Sequence, residues 1–477
     1  MPSVDCGRFP SKAIVGDELT VLADVFPDGH EAIAVRLRHL PPGESEWVEV
    51  PMGEPDNDRW RARMALRAVG RHEYTVTAWI DHFATWQHDM ARRAEAGVVS
   101  AVDLAIGAGL VREAAARAVG TDRDRLDAFA AALDGQVSPD RIAAAAASDL
   151  AALMDAHPDR RFESTWEPVL AVTVDPPHAR FSAWYELFPR SASPEPGRHG
   201  TFADVIERLP YVADLGFDVL YLPPIHPIGL TFRKGPDNAL ASAPGDPGVP
   251  WAIGSDDGGH MAVHPELGTL GDFEALVEAA SAHGIRVALD LAYQASADHP
   301  YLREHRDWFR ARPDGTIQYA ENPPKKYQDI YPFDFATADW RALWQELLAV
   351  VRFWVDRGVR IFRVDNPHTK PFAFWEWLIG AVKATDPDVL FLSEAFTRPK
   401  VMYRLAKLGF SSSYTYFTWR NSKDELTSYF EEITRPPVSD FFRPNLFTNT
   451  SSGSPSSRLS IKPLRVNPSL ASSRCIR

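Results

Sequence analysis

The fold is decided by three consecutive stretches: VRIFRVDN (359–366), FAFWEWLIGAVKATDP (372–387) and VLFLSEAF (389–396). The outer two are short runs rich in Val, Ile, Leu and Phe, and the middle one is long and apolar with helical spacing. The pattern predicts strand, helix, strand. Asp365 closes the first strand and Glu394 the second. Their spacing fits one strand–helix–strand repeat, which sets two carboxylates on neighbouring strand ends facing one mouth.

The same alternation runs upstream. FSAWYELFPRS (181–191), FDVLYLPPI (217–225) and IRVALDLAYQ (285–294) read as strands. FADVIERLPYVADLG (202–216), FEALVEAASAHG (273–284) and WRALWQELLAVVRFWVDRG (340–358) read as helices, the first ending at Gly216, a residue suited to a C-cap. Such alternation signals parallel β/α units. Hydrophobic strands with polar residues only at their C-terminal ends point to a (β/α)8-type barrel. A doubly wound sheet is the alternative, weakened by the absence of a Gly-rich turn after the first strand.

The chain is multidomain: 477 residues accommodate about three domains. Residues 1–90 read as an N-terminal immunoglobulin-like β sandwich, with alternating runs such as AIAVRLRHL (32–40) and DRWRARMAL (58–66) separated by PPGE and GEPDND. Residues 91–165 become Ala-rich and helical, a packing or dimer element, with Ser138 before Pro139 as an N-cap. The barrel is expected over 166–450, with a small inserted subdomain at about 296–339, and 451–477 stand apart as an aberrant or disordered tail.

Composition narrows the function classes. A net charge of −13 argues against nucleic acid or an anionic membrane as partner. Cys6 and Cys475 make neither a disulfide framework nor a metal quartet, so a reducing, cytoplasmic setting is expected. The first twenty residues carry charges and no apolar core, so no signal peptide is expected, and no run is apolar enough for a membrane span.

Strand ends supply four charged residues: Asp290, Arg363, Asp365 and Glu394. Paired carboxylates are the apparatus of glycoside chemistry, one as nucleophile and one as acid and then base. The acid needs a raised pKa and the nucleophile a lowered one. Arg363 lies two positions before Asp365 on the same strand face, where its charge would keep Asp365 ionised. His226, His260 and His264 sit in loops expected to face the mouth and to touch sugar hydroxyls, without metal-ligand spacing. Neither metal nor cofactor is expected. Trp251 and Tyr185 suit sugar platforms or core; for Trp184 core is the reading.

At these residues the chain resembles a known family. IFRVDNPHTK, FLSEAF and VALDLAYQAS resemble three signature segments of the alpha-amylase superfamily of glycoside hydrolases. LPPIHPIG, FRKGPDN, WAIGS and ENPPKKYQDIYPFDF are similar to those of the bacterial maltosyltransferases that use α-maltose 1-phosphate and an α-1,4-glucan. The likeness covers about residues 10 to 450. It implies retaining transfer of a maltosyl unit to the non-reducing end of the glucan with release of phosphate, and a homodimer. Asp365 would be the nucleophile and Glu394 the acid/base. Lys234, Gln294, Asp329 and Asn366 match substrate contacts, and Asn322, Lys325 and Tyr327 match residues beside the phosphate. A leaving phosphate favours cationic and amide donors next to the acid. Plainer readings stay open: Lys325 and Lys326 as a solvated pair, Asp329 as a turn cap. The rival activities are an α-glucan hydrolase, a branching enzyme or a trehalose-forming mutase, and the rival class is a non-catalytic glucan-binding remnant.

One departure stands out. The family carries a third carboxylate just after an Asn-Thr pair on the seventh strand. FRPNLFTNT reaches Asn449 and Thr450, and then the pattern stops. Residues 451–477 hold nine serines, five Lys or Arg and no Asp, Glu or aromatic residue. A disordered natural tail is the plainer reading and a shifted reading frame the one preferred, with impaired activity and poor solubility as the consequence.

Overall fold

A computed structural model describes residues 2–445; the tail after Thr450 lies outside the described residues. The chain divides into two compact units. The first comprises Met1–Ser3, Asp17–Leu66 and His72–Ala171, and the second Val4–Gly16, Arg67–Arg71 and Val172–Arg477. Ser11–Ile14 pairs in parallel with Val172–Asp175, and this pairing draws the segment around it into the second unit.

In the first unit, Ile33–Leu40 pairs antiparallel with Val48–Pro51 and with Gly70–Ile80. Glu18–Asp24 pairs with Arg59–Ala65 in a second sheet. Arg59–Ala65 alternates outward Arg59, Arg61 and Arg63 with inward Ala62 and Met64, the period of two that one buried face imposes. Five helices follow between His82 and Ala156, the fourth capped by Ser138, whose side chain accepts from Arg141 N. Their core contains Trp86, Leu104, Val111, Leu126, Leu133 and Leu150. Gly107, in the middle of Ala101–Arg117, lets that helix close over the indole: a Cβ there would lie 2.0 Å from Trp86 Cζ2. Trp86 Nε1 then reaches Asp103 O at 2.8 Å.

The second unit is built on seven parallel strands lying side by side in chain order: β1 Trp184–Glu186, β2 Val219–Leu222, β3 Arg286–Leu291, β4 Ile361–Asp365, β5 Leu390–Glu394, β6 Ser412–Tyr414 and β7 Pro444–Asn445. The alternating helices are α1 Phe202–Asp214, α2 Leu270–Ala282, α3 Trp340–Val355, α4 Phe372–Lys383, α5 Pro399–Lys407 and α6 Lys423–Thr434. Thr201 with Asp204, Thr269 with Asp272 and Ser422 with Glu425 form capping boxes that start α1, α2 and α6. Among the described residues this is a barrel sheet of seven strands, with β1 and β7 at the two ends of the order.

The central strands are buried on both faces, as parallel strands under helices must be. Leu220, Leu222, Leu289, Leu291, Phe362, Val364 and Phe391 pack outward with helix residues such as Leu347, Trp354, Phe374 and Trp375. The other face carries Val219, Ala288, Ile361 and Leu390 as an apolar floor. Two residues further along the same face come Tyr221, Asp290 and Arg363, and two beyond those Asp365 and Glu394. Between β3 and α3 the chain makes a long excursion. Gln294–Ala295 pairs with Tyr331–Pro332, and Ala320–Asn322 forms a hairpin with Lys325–Tyr327.

Candidate active site

Strand register assembles the centre. Asp365 and Glu394 are direct register partners on β4 and β5, and Asp290 and Arg363 are partners on β3 and β4. Arg363 Nη1 donates to Asp290 Oδ2 at 2.9 Å and to Asp365 Oδ1 at 2.8 Å, while Nη2 lies 3.6 Å from Glu394 Oε1. One guanidinium thus gathers three carboxyl groups. Burial works against its charge, and Asp290 and Asp365 outweigh that, so Arg363 stays a cation. Its ring-face contact, 6.0 Å from the guanidinium carbon to the centroid, is Tyr414 at the end of β6.

The carboxyls differ in environment. Asp290 is fully enclosed, and burial lifts its pKa to about 7 although Arg363 pulls it down. It also accepts a hydrogen bond from the Tyr221 hydroxyl. Glu394 is raised by burial, with Asp365 adding to the rise and Arg363, the Asn366 N–H and Lys370 opposing it. A raised carboxyl beside a paired one is the arrangement that separates a proton donor from a nucleophile. Asn366, directly after Asp365, takes the left-handed conformation (φ 45°, ψ 54°) and donates its N–H to Glu394 Oε2 at 3.2 Å. Asn tolerates this conformation better than most residues.

A second group lies in the loops. Lys234 is buried with its Nζ on Gln328 Oε1 at 2.8 Å, and Asp329 is raised by burial while Lys234 opposes the rise. Gln294 donates to Trp251 O at 3.2 Å. In the hairpin, Asn322 pairs with Lys325 and Ala320 with Tyr327. Register positions two apart share a face, so Asn322, Lys325 and Tyr327 stand on one side of it. Asn322 and Lys325 are exposed, whereas Tyr327 and Trp251 each pack against the buried cluster of Ile228, Ala252 and Ile330.

The histidines differ from expectation. His226 and His260 are buried; His226 Nδ1 lies 3.0 Å from Ala262 O, and both nitrogens of His260 are bonded. Tyr301 N–H donates to His299 Nδ1, His299 Nε2 lies 3.0 Å from His260 Nδ1, and His260 Nε2 lies 3.0 Å from Ala292 O. Two neutral rings, His299 and His260, complete this chain of bonds, and burial lowers His226 to about 4 and His260 to about 3. They hold the loops after β2 and β3. His264, His199 and Glu266 bring ligand atoms within 4.8 Å of one another. His264 Nδ1 already accepts from Glu266 N–H, which puts the ring proton on Nε2 and leaves that nitrogen without a lone pair for a cation. Trp184 packs on the apolar floor beside Tyr221.

Three residues at this centre, Glu186, Tyr221 and Lys370, were not singled out by the sequence. Glu186 ends β1 and is raised by burial while Arg363 opposes the rise. Tyr221 and Lys370 contact Asp290 and the Asp365 carbonyl. The strand-end rule that picks out Asp290 would also have found Glu186.

Residues 1–176 match the family described as alpha-1,4-glucan:maltose-1-phosphate maltosyltransferase, domain N/S, and residues 186–344 match the alpha amylase catalytic domain. An alpha-1,4-glucan:maltose-1-phosphate maltosyltransferase of Chlorobaculum tepidum is 52% identical over 449 residues, 94% of this chain and 67% of the relative. One of Myxococcus xanthus is 53% identical over 457 residues, 94% of this chain and 69% of the relative. Among solved structures, an alpha-amylase from Lactobacillus plantarum aligns at 27% identity over 53% of this chain and 59% of its own, with a TM-score of 0.43. The chain spans about two-thirds of the length of the maltosyltransferases it matches, and with identities of this size over nearly all of it, it belongs to the alpha-1,4-glucan:maltose-1-phosphate maltosyltransferase family, on an alpha-amylase type of catalytic domain.

Proposed function

We propose that the chain transfers a maltosyl unit from α-maltose 1-phosphate to the non-reducing end of an α-1,4-glucan, releasing phosphate and retaining the anomeric configuration. The observation that carries this is the register pairing of Asp365 with Glu394 over the shared Arg363. In this reading Asp365 attacks the anomeric carbon while Glu394 gives its proton to the departing phosphate. The β-linked maltosyl-enzyme is then attacked by the glucan 4-hydroxyl, whose proton returns to Glu394. Two inversions amount to retention. Family membership and the exposed Asn322 and Lys325, on one hairpin face, favour a phosphate-bearing donor over neutral glucan and water. Lys234, Gln294, Asp329, Asn366, Arg363 and Asp290 are proposed as substrate contacts, with Arg363 also paired to Asp365.

Phosphate release from α-maltose 1-phosphate, with a maltooligosaccharide acceptor, is the test. Release should disappear in Asp365→Asn and Glu394→Gln. Lys325→Met should raise KM for the donor roughly 10- to 100-fold, the scale of one charge-assisted hydrogen bond, with a smaller change in kcat. Cleavage of maltooligosaccharide by water with no need for the phosphate donor would sink this reading.

The sandwich, helical insert and barrel with its subdomain are proposed as the working domains, and the enzyme as a cytoplasmic homodimer. The single cysteine among the described residues, Cys6, is an exposed free thiol, which suits a reducing compartment.

A further inference from the structure

DNPHTK (365–370) turns sharply away from β4, and its last residue folds back under its first two. The half-buried Lys370 places Nζ 3.1 Å from the Asp365 carbonyl and 3.3 Å from the Asn366 carbonyl. Thr369 donates to that same Asn366 carbonyl through its N–H at 3.2 Å and its Oγ1 at 2.8 Å. Three donors therefore converge on one peptide oxygen of a residue held left-handed. A non-glycine residue keeps that conformation only where its surroundings over-determine it. The reward is one peptide back, in the unit that carries the Asp365 carbonyl, where the Asn366 N–H meets Glu394 Oε2.

We propose that Lys370 is a positioning residue: its ammonium, bonded to the Asp365 and Asn366 carbonyls, holds the left-handed corner that aims the Asn366 N–H at Glu394. A neutral donor would satisfy the carbonyls equally well. A cation adds a field between the two carboxyls. Burial drives Lys370 down, and Asp365, Glu394 and Asp290 oppose that, with Arg363 as the nearby like charge. His368, on the same turn, is lowered by burial and by Lys370. Around Glu394 the charged groups are Arg363, Asp365 and Lys370. Both the N–H and the ammonium favour the ionised Glu394, so losing Lys370 moves its titration to higher pH. The role of Glu394 as proton donor comes from the proposed function; its titration does not depend on that role.

The test is 13C NMR titration of full-length protein labelled at the glutamate carboxyls, with Glu394 assigned through Glu394→Gln. Lys370→Met should shift the Glu394 titration upward, and Lys370→Arg should restore it. Thr369→Val, which loosens the same corner by one bond, should shift it less and in the same direction, and serves if Lys370→Met does not fold. An unmoved titration in Lys370→Met, or in Thr369→Val where that stands in, overturns the proposal, as does Lys370→Arg behaving like Lys370→Met. Covalent labelling of Asp365 by a fluorinated maltosyl donor should slow roughly 10- to 100-fold in Lys370→Met. Labelling that also fails in the unaltered protein counts against the proposed function, while the shift of the Glu394 titration still decides the role of Lys370.

Discussion

Arg363→Met tests how the centre is held together. The guanidinium bonds Asp290 at 2.9 Å and Asp365 at 2.8 Å, and Asp290 is enclosed with a pKa of about 7. Removing one partner from a buried ion pair costs about 3–5 kcal/mol because the other charge is left uncompensated. Asp290 can escape that cost by keeping its proton. Its folded pKa lies above the unfolded value, so the stability it carries is present below that unfolded value and is lost as pH rises through the folded one. Without Arg363 the folded value climbs further, so the variant goes on losing stability at pH values where the unaltered protein has stopped. The gap between them should widen above about pH 7, by about 1.4 kcal/mol for each pH unit. Urea unfolding at pH 6 and pH 8.5 reads both quantities, and Asp290→Asn added to Arg363→Met should recover part of the high-pH loss. A loss below about 1 kcal/mol at both pH values, or one equal at both, would refute the reasoning.

Two further outcomes concern the scaffold. His226 is depressed to about 4 by burial, so it stabilises the fold above the ordinary histidine pKa, and that contribution, about 3 kcal/mol, is lost as pH falls from about 6.5 towards 4; thermal unfolding of His226→Phe over that range should show a shallower pH slope, and an unchanged slope would be evidence against it. In the helix Ala101–Arg117, Gly107→Ala should lower stability by about 1–2 kcal/mol because the methyl meets Trp86, whereas Gly109→Ala, with nothing within 4 Å of the new methyl, should raise it by about 0.5–1 kcal/mol. Denaturant melts of both variants compare them directly, and equal gains at the two positions would contradict the close approach.

Much of the site was legible because strand ends are punctuated by polarity. Asp290, Arg363, Asp365 and Glu394 each interrupt an apolar run, and a parallel sheet leaves such residues only at its mouth. Asn322, Lys325 and Tyr327 came from likeness to a family, since nothing in their spacing marks a hairpin face. For His226 and His260, a polar residue in a loop near the mouth reads as a contact, and only packing reveals that both rings are buried and that His260 is bonded through both nitrogens.

The alternation of apolar and polar residues already assigns the inward and outward faces, hence the floor of Val219, Ala288, Ile361 and Leu390 and the charged layers above it. Side-chain period in a strand is local, so it needs no knowledge of distant partners. Folding in three dimensions is what brings Asp365 and Glu394 into register over one guanidinium, returns Lys370 to the Asn366 carbonyl and joins Ser11–Ile14 to the second unit. Register, the left-handed corner and long-range strand pairing depend on contacts between residues far apart in the chain or on a backbone angle that packing enforces, and neither is written in the local pattern.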